Sequence, residues 1–516
     1  MSREAAALPP TRTHGEVSAL PQRVFLFENH DEALAIWRQA GVAGRILVHI
    51  DPHHDMGWVG PREHVTFANY ICPALQDGLV RAVYWVVPEQ SWESTGNRQQ
   101  ILHQLRQILH AYAGSSSGYR FERQRARAQI LGKPLEICSL SSLPDFVEPV
   151  LLDLDVDFLT LPRVAGNPSA EHTELPWCWP EDLVGRMSAR KMPWEIATIP
   201  YSVEGGYTPL RWKYLGEELA LRLNPAATED PRLPAMARLR AGAEAAARGE
   251  LDKAVGEYQT GAALWPDSAA PLLHLALLLR RSGQLDEARS LYRQALARDP
   301  TYRTSYNSEG LWHYWNGNYK AAEQEFRRTL DLDSCDATSL VGLAWLAMRR
   351  KHWTDAERLL RHTLERDPEN LDAWRALGKS SARQRNYAQA ITAYERSLQL
   401  ALSGHLTRKE PPAIHSGRPY PVDAEHWPVF VRLGQLYEKQ GQKAAARQRY
   451  RMALAGGHDG LALRWRLLWL RGESEGAEGR VAKVWHCAKQ LAHECQKPFR
   501  RLGLAAARGY ETLRAW

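Results

Sequence analysis

VLLDLDVDFL, Val150 to Leu159, alternates acidic with apolar residues through a run that otherwise reads as a buried strand. Strand side chains alternate between faces, so Asp153, Asp155 and Asp157 point one way, and Leu152, Leu154, Val156 and Phe158 the other. Three carboxylates on one face of an apolar strand repel one another and lose hydration on burial. Bound cations remove that conflict. The alternative is an acidic face left open at a sheet edge, and the apolarity of the run argues against it.

Working outward, RILVHIDPHHDMGW (Arg45–Trp58) runs a strong strand into Asp51, His53 and Asp55, a D-x-H-x-D spacing. Carboxylate, imidazole and carboxylate at alternate positions converge as oxygen and nitrogen ligands without thiolate. That set suits Mn²⁺ or another divalent ion of intermediate hardness, zinc included. Taken alone the same letters also fit a turn after a strand. His54 falls on the other phase and reads as a supporting or exposed side chain. His30 closes an earlier strand in VFLFENHD, 21 residues before Asp51 and across one helix, which places it at the same sheet edge as a third ligand source.

These stretches belong to one alternating pattern over residues 23–224. RVFLFE (Arg23–Glu28), RILVHID (Arg45–Asp51), VRAVYWVV (Val80–Val87), PLEICSL (Pro134–Leu140), PVLLDLDVDFL (Pro149–Leu159) and EIATIPYS (Glu195–Ser202) read as strands. Helical patterns over Asp31–Ala40 and Asn97–Ala113 lie between some of them. Such alternation predicts an α/β domain with a mostly parallel sheet, with functional residues at the carboxyl ends of its strands.

A Pro-rich stretch, 225–234, then marks a linker, and beyond it the period changes. Ala254, Ala288, Ala322, Ala356 and Ala390 recur every 34 residues, each followed four positions on by Tyr258, Tyr292, Phe326, Leu360 or Tyr394. Pro266, Pro300 and Pro368 keep the same period, with Ser334 in the remaining place. Ala344 and Gly378 hold the small-residue position of the preceding helices. This resembles the tetratricopeptide repeat, in which a small residue lets helices approach and an aromatic fills the adjacent groove. About six repeats are expected over 235–460, Ala446 and Tyr450 marking the last after an insertion near 402–426 that includes Glu410–Val422. Residues 461–516 read as a helical cap.

Composition narrows the class further. Of 516 residues, 44% are hydrophobic and 24% charged, ordinary for a soluble globular protein and enough for several domains. Residues 1–22 read as a disordered polar lead-in without the apolar core of a secretory signal. No apolar run is long enough for a membrane span. The six scattered cysteines lack metal-site spacing, and a reducing cytoplasm is the expected compartment. A formal charge of +7 is modest for this length, and no nucleic-acid-binding module is visible.

The metal motifs carry a second resemblance. His30, then Asp51/His53/Asp55, then Asp155/Asp157 are similar to the six ligands of the ureohydrolase (arginase and agmatinase) binuclear manganese site. The wider pattern, NHDEAL, HIDPHHDMGW, VTFANYICPAL and DVDFL, looks like the compact arginase-like family that includes bacterial peptide arginases. The resemblance implies a three-layer αβα domain over 23–224 that holds two Mn²⁺ ions, other divalent ions being compatible. Asp51 and Asp155 would bridge them, His30 and Asp55 would complete one shell, and His53 and Asp157 the other. Asp153 falls where that family carries a small polar residue and is the weaker partner.

The implied reaction converts a peptide's arginine side chain to ornithine and releases urea. By the same analogy Asp55 holds the proton of the attacking hydroxide. His64 is a candidate general acid and Glu204 a candidate carboxylate for the substrate guanidinium, each also readable as an ordinary loop residue. The repeats would hold a peptide or precursor-peptide substrate, and oligomerisation through them is compatible with the pattern. Two other readings stand beside this one: a hydrolase of a small guanidino compound or acylated amine, and a repeat scaffold without catalysis.

Overall fold

A computed structural model describes residues 22–59, 65–113, 118–164, 173–190, 192–203, 207–224, 227, 229–303, 308–407, 427–455 and 461–471. The expected lead-in, the Pro/His/Gly-rich insertion Glu410–Val422, the cap beyond Arg471, His64 and Glu204 lie outside these residues. Two compact units divide the chain after Ser380.

The first unit begins with an eight-stranded sheet in the order β1-β8-β7-β2-β3-β6-β5-β4. Its strands are β1 (Arg23–Phe27), β2 (Arg45–Ile50), β3 (Val80–Val86), β4 (Arg120–Phe121), β5 (Arg125–Ile130), β6 (Lys133–Cys138), β7 (Val150–Leu154) and β8 (Trp194–Pro200). All pairings are parallel except those of β4 with β5 and β5 with β6. The short β4 and the polar β5, RARAQI, were missed in the sequence because their alternation of arginine with alanine lacks the apolar run of a central strand.

Helices cover both faces, making three layers. On one side α1 (Glu32–Gln39), α2 (Ile71–Gln76) and α3 (Thr95–Ala113) bury Trp37, Ile71, Ala74, Ile101 and Leu105 against Leu47, Trp85, Leu151 and Ile196. On the other, α4 (Pro180–Ala189) and α5 (Tyr214–Leu223) bury Leu183, Met187, Leu215 and Leu219 against Val48, Ile50, Leu152 and Leu154. Both faces of the central strands are therefore apolar, as a parallel sheet requires.

The chain leaves β2 for β3 on one side and β7 for β8 on the other. Connections that part in this way open a crevice at the carboxyl ends of β2 and β7, where ligands bind in open α/β sheets. The two acidic motifs end there.

One strand assignment and one linker need correction. β7 stops at Leu154, Asp155 caps a single 3₁₀ turn over Val156–Leu159, and Asp157 sits inside that turn. Only Asp153 projects from the strand itself, so the three carboxylates do not share a strand face. Asp155 turns the chain by accepting the amide of Asp157 on Oδ1 at 3.0 Å. The interval 225–234 is not linker throughout, because α6 begins at Arg232.

The rest of the first unit is paired helices: α6 (Arg232–Ala247) with α7 (Leu251–Leu264), α8 (Ala270–Arg281) with α9 (Leu285–Arg298), α10 (Ser308–Trp315) with α11 (Tyr319–Leu332), and α12 (Ala337–Arg349) with α13 (Trp353–Arg366). α14 (Leu371–Arg383) follows. The periodic alanines Ala254, Ala288, Ala322 and Ala356 are fully buried, and the residues four places on are nearly so. Within the second unit, α15 (Tyr387–Thr407), α16 (Trp427–Lys439), α17 (Lys443–Ala455) and α18 (Leu461–Arg471) bury Ala390, Tyr394, Leu433, Ala446 and Tyr450 together.

Candidate metal centre

Five carboxylates and three imidazoles meet at the crevice. His49, Asp51, Asp153 and Asp157 are fully buried, Asp55, Asp155 and His30 nearly so, and His53 is partly open. The positions follow from the backbone. Asp51 directly follows β2 and donates its amide to Val86 O at 3.1 Å, which extends the ladder with β3. Asp155 does the same toward Ile50 O at 3.1 Å. His30 starts from the outer strand β1 and reaches the centre because the loop after Phe27 crosses the end of β8, where Ser202 N donates to Glu28 O at 3.0 Å.

Asp55 and Ser202 both adopt left-handed backbone, at φ 45° and 53°. Non-glycine residues seldom adopt that conformation, and it concentrates where a site dictates the path of the chain. Here it turns the Asp55 carboxylate back onto His30 Nδ1 at 3.0 Å, and it lets Ser202 Oγ donate to Asp155 Oδ2 at 2.7 Å.

The electrostatics are oversubscribed. His30 Nδ1 lies 3.4, 3.0 and 3.2 Å from oxygens of Asp51, Asp55 and Asp155, yet one ring nitrogen can donate one hydrogen. His53 Nδ1 lies 3.2 Å from Asp51 Oδ1 and 3.0 Å from Asp157 Oδ2. Among the described residues Asp51 Oδ2 and Asp157 Oδ1 are buried without a hydrogen bond. Burial, together with the Asp55 and Asp155 charges, pushes the Asp51 carboxyl up to about 6. Burial and the charges of Asp155 and Asp51 raise Asp157 well above the carboxylate range. For His30 and His53 burial works against the charged form, but the carboxylates around each ring outweigh it and raise both. Positive charge at the centre relieves the repulsion among such carboxylates.

The donors suit divalent ions. His30, Asp51 and Asp155 converge within 4.8 Å, and so do Asp51, His53 and Asp157, with Asp51 common to both groups. Oxygen and imidazole donors without sulfur are a ligand set for divalent ions of intermediate hardness. All six residues singled out in the sequence as ligands therefore stand in one cluster.

Asp153 has a different part. Its Oδ2 accepts from His30 Nε2 at 2.9 Å, from His49 Nδ1 at 2.9 Å and from Tyr70 Oη at 2.5 Å, while Oδ1 accepts from Thr198 Oγ1 at 2.5 Å. Burial opposes its charge, and His30 and His49 hold its carboxyl below the usual range. A carboxylate so filled by the protein orients His30, leaving Nδ1 to face the other carboxylates. His49 is tied on both nitrogens, Nε2 lying 3.2 Å from His53 O.

His49, Tyr70, Thr198 and Ser202 join the site without a motif that singles them out in the sequence. His49 alone carries a signal there: two residues before Asp51, it shares that residue's face, and it pairs in register with Asp153. The others come from separate elements and carried no local signal. His54 faces inward instead of standing exposed: Nδ1 accepts from Met56 N at 2.9 Å, its ring meets Trp85 edge-on, and burial drops it to about 4. At the mouth, Tyr207 lies edge-on to His53 and 5.3 Å from Phe67, walling a narrow pocket that reaches Glu28 and Asp55.

Comparisons with known proteins bear on the helical part. The tetratricopeptide repeat family matches residues 273–337, 341–403 and 429–455. Cellulose synthase 1 operon protein C of Komagataeibacter xylinus is 29% identical over 143 residues, 27% of this chain and 10% of that one. Cellulose synthase operon protein C of Komagataeibacter sucrofermentans is 34% identical over 82 residues, 15% of this chain and 6% of that one. The chain thus spans a tenth or less of the length of these curated relatives. Among solved structures, the APC/C hetero-tetramer Cut9–Hcn1 is 17% identical with a TM-score of 0.27, covering 51% of this chain and 46% of that one. Pseudomonas aeruginosa pilF is 18% identical with a TM-score of 0.26, covering 54% of this chain and 99% of that one. The helical part of the chain is built of tetratricopeptide repeats.

Proposed function

We propose that the cluster holds two divalent cations and that the chain is a hydrolase acting on the guanidinium group of arginine side chains in a peptide or protein, leaving ornithine and releasing urea. One observation carries the metal reading: among the described residues two buried carboxylate oxygens, Asp51 Oδ2 and Asp157 Oδ1, have no hydrogen-bond donor in a pocket already crowded with negative charge. Asp51, Asp155, His30, Asp55, His53 and Asp157 would hold the ions, and the ions would supply Lewis acidity and a lowered pKa for bound water.

The chain's own residues do the rest. Asp153 fixes the His30 ring, and Ser202 fixes Asp155 through its hydroxyl. Asp55, which lines the pocket, would take the proton of an attacking water. Tyr207 and Phe67 offer ring faces to a planar guanidinium. The reaction balances with one water: its oxygen becomes the urea oxygen, the carbon–nitrogen bond to the side chain breaks, and that nitrogen leaves as the ornithine amine. His64, as a histidine able to protonate the leaving amine, and Glu204, by analogy with ureohydrolases, remain the candidates for general acid and guanidinium partner. The repeats would present the peptide, a common use of such arrays.

Mass spectrometry of arginine-containing peptides incubated with Mn²⁺-loaded protein tests the reading, with Asp51→Ala/Asp155→Ala protein as the control. Expected are a guanidine-to-amine mass decrease, urea release and two ions per chain, all lost in the control. Two bound ions with peptides, free arginine and agmatine all unconverted would overturn the substrate. Absence of tightly bound metal in the natural chain would overturn the hydrolase and leave a repeat scaffold.

A further inference from the structure

Within the first unit a second cavity, of about 410 Å³, lies between the sheet's last loops and helices α6, α7, α8 and α11. That volume is in the range of small-ligand and side-chain pockets. Its inner wall is the buried cluster of Trp212, Tyr258 and His274, with His274 stacked on Tyr258 at 5.0 Å and donating from Nε2 to Arg211 O at 2.9 Å. Leu277, Leu278 and Ala243 line it with apolar surface.

Four guanidinium groups, on Arg211, Arg280, Arg281 and Arg328, line the same cavity against two carboxylates, Glu174 and Glu325. Two are held in place by carbonyl groups: Arg280 Nη1 donates to Arg328 O at 3.2 Å and Arg281 Nη2 to Ala246 O at 3.0 Å. Arg211 lies over the Trp212 ring at 5.5 Å, Arg281 stands 3.9 Å from Glu174, and Arg328 pairs with Glu325. Arg281 and Arg328 remain about half exposed, at 50% and 54%. Guanidinium keeps its charge at every accessible pH, and its fork of donors matches a carboxylate.

We infer that this cavity binds an acidic stretch of polypeptide, its carboxylates on the arginine rim and an adjacent apolar side chain against the leucine wall. A nucleic-acid strand fits less well: the two interspersed carboxylates repel closely spaced phosphates, and Trp212 and Tyr258 are buried where no base can stack on them. The rim also repels arginine. Recognition and modification then fall to different parts of one substrate, an acidic part held here and an arginine-bearing part delivered to the carboxylate cluster. That docking role rests on the proposed hydrolase, whereas the preference for carboxylates does not.

The test uses the full chain, stripped of metal by chelation, and fluorescence anisotropy of a short labelled peptide that alternates Glu with Ala and Leu. The same peptide with Gln for Glu and a labelled oligouridylate are the comparisons. Expected is binding of the Glu peptide at least about tenfold tighter than of the Gln peptide, equivalent to about 1.4 kcal/mol. Arg281→Glu/Arg328→Glu protein should lose that preference. Arg327→Glu/Arg358→Glu protein, with the same charge change on exposed residues outside the cavity, should keep it. Equal binding of the two peptides, binding unchanged in the cavity pair, or tighter uridylate binding would overturn the inference. Because the readout needs neither metal nor turnover, failure of the hydrolase leaves it intact, and turnover with no acidic preference sinks this inference alone.

Discussion

Asp153 shows how one side chain serves a site without facing its centre. It neutralises two histidines, takes two hydroxyl hydrogens and leaves His30 Nδ1 pointed at Asp51, Asp55 and Asp155. Asp153→Asn should keep the shape yet weaken Mn²⁺ binding by about 10–100-fold, the usual cost of losing a partner that orients a ligand. Isothermal titration would read it, and unchanged affinity would return Asp153 to a purely structural part. Chelation is the companion test. Ligand that binds only the folded state stabilises by about 2.7 kcal/mol at a hundredfold excess over Kd. A chelator should therefore lower the melting midpoint of the natural chain and leave that of Asp51→Ala/Asp155→Ala protein where it was.

At the scale of elements, the 34-residue period is a packing rule. The Phe326 ring of α11 is sandwiched between Gly310 of α10 and Gly342 of α12; a Cβ on either would come within 2.6 and 2.4 Å of it. Tyr258 presses on Gly242, and in the second unit Tyr450 presses on Gly434, in the same way. The aromatic fills the space that the glycine leaves, so Gly342→Val should cost about 1–3 kcal/mol through overpacking. Chemical denaturation would measure that loss. A variant as stable as the natural chain would mean that the ring moves aside freely. The period was legible in sequence because every repeat solves one contact with the same two residue types. The sheet's polar edge was not, since β4 is two residues long and β5 buries its small Ala126 and Ala128 between polar residues, a pattern without an apolar run.

For the whole first unit, the sheet and the early repeats share one core. The cluster that holds Leu152 and Ile199 continues without a break through Trp212 and Leu239 to Tyr258, Leu273 and Tyr292. Lys213 adds a polar tie, reaching Thr301 Oγ1 at 2.9 Å and Glu28 Oε2 at 3.6 Å. Residues 1–224 expressed alone should therefore expose apolar surface, bind a hydrophobic dye and aggregate, which light scattering would detect. A monomeric, cooperatively folded fragment would contradict the shared core.

Two titrating groups at this junction act with opposite sign. Burial lifts Glu217 to about 7 from 4.5, so between those values the folded state holds a proton that the unfolded state has lost, and stability falls as pH rises. Burial drops His274 to about 3 from 6.5, so below 6.5 the unfolded state gains a proton that the folded state refuses, and stability falls as pH drops. Glu217→Gln removes only the first slope. Its melting midpoint should rise more steeply with pH, from about 5 to about 7, than that of the natural chain; parallel curves would contradict this.

By itself the amino-acid sequence determined the alternating α/β part, the repeats and their register, and the six residues that gather at the crevice. Each of these is written as local periodicity or short spacing, which backbone geometry converts directly into position. Tertiary structure alone decided that Asp153 orients His30, that Asp155 and Asp157 sit on a turn beyond the strand, and that Tyr70, Thr198 and Ser202 support the carboxylates. It also decided that four arginines from the loop before α5 and from α8 and α11 face one cavity. Those contacts join residues far apart in the chain, and only the packing of the sheet against its helices brings them within reach.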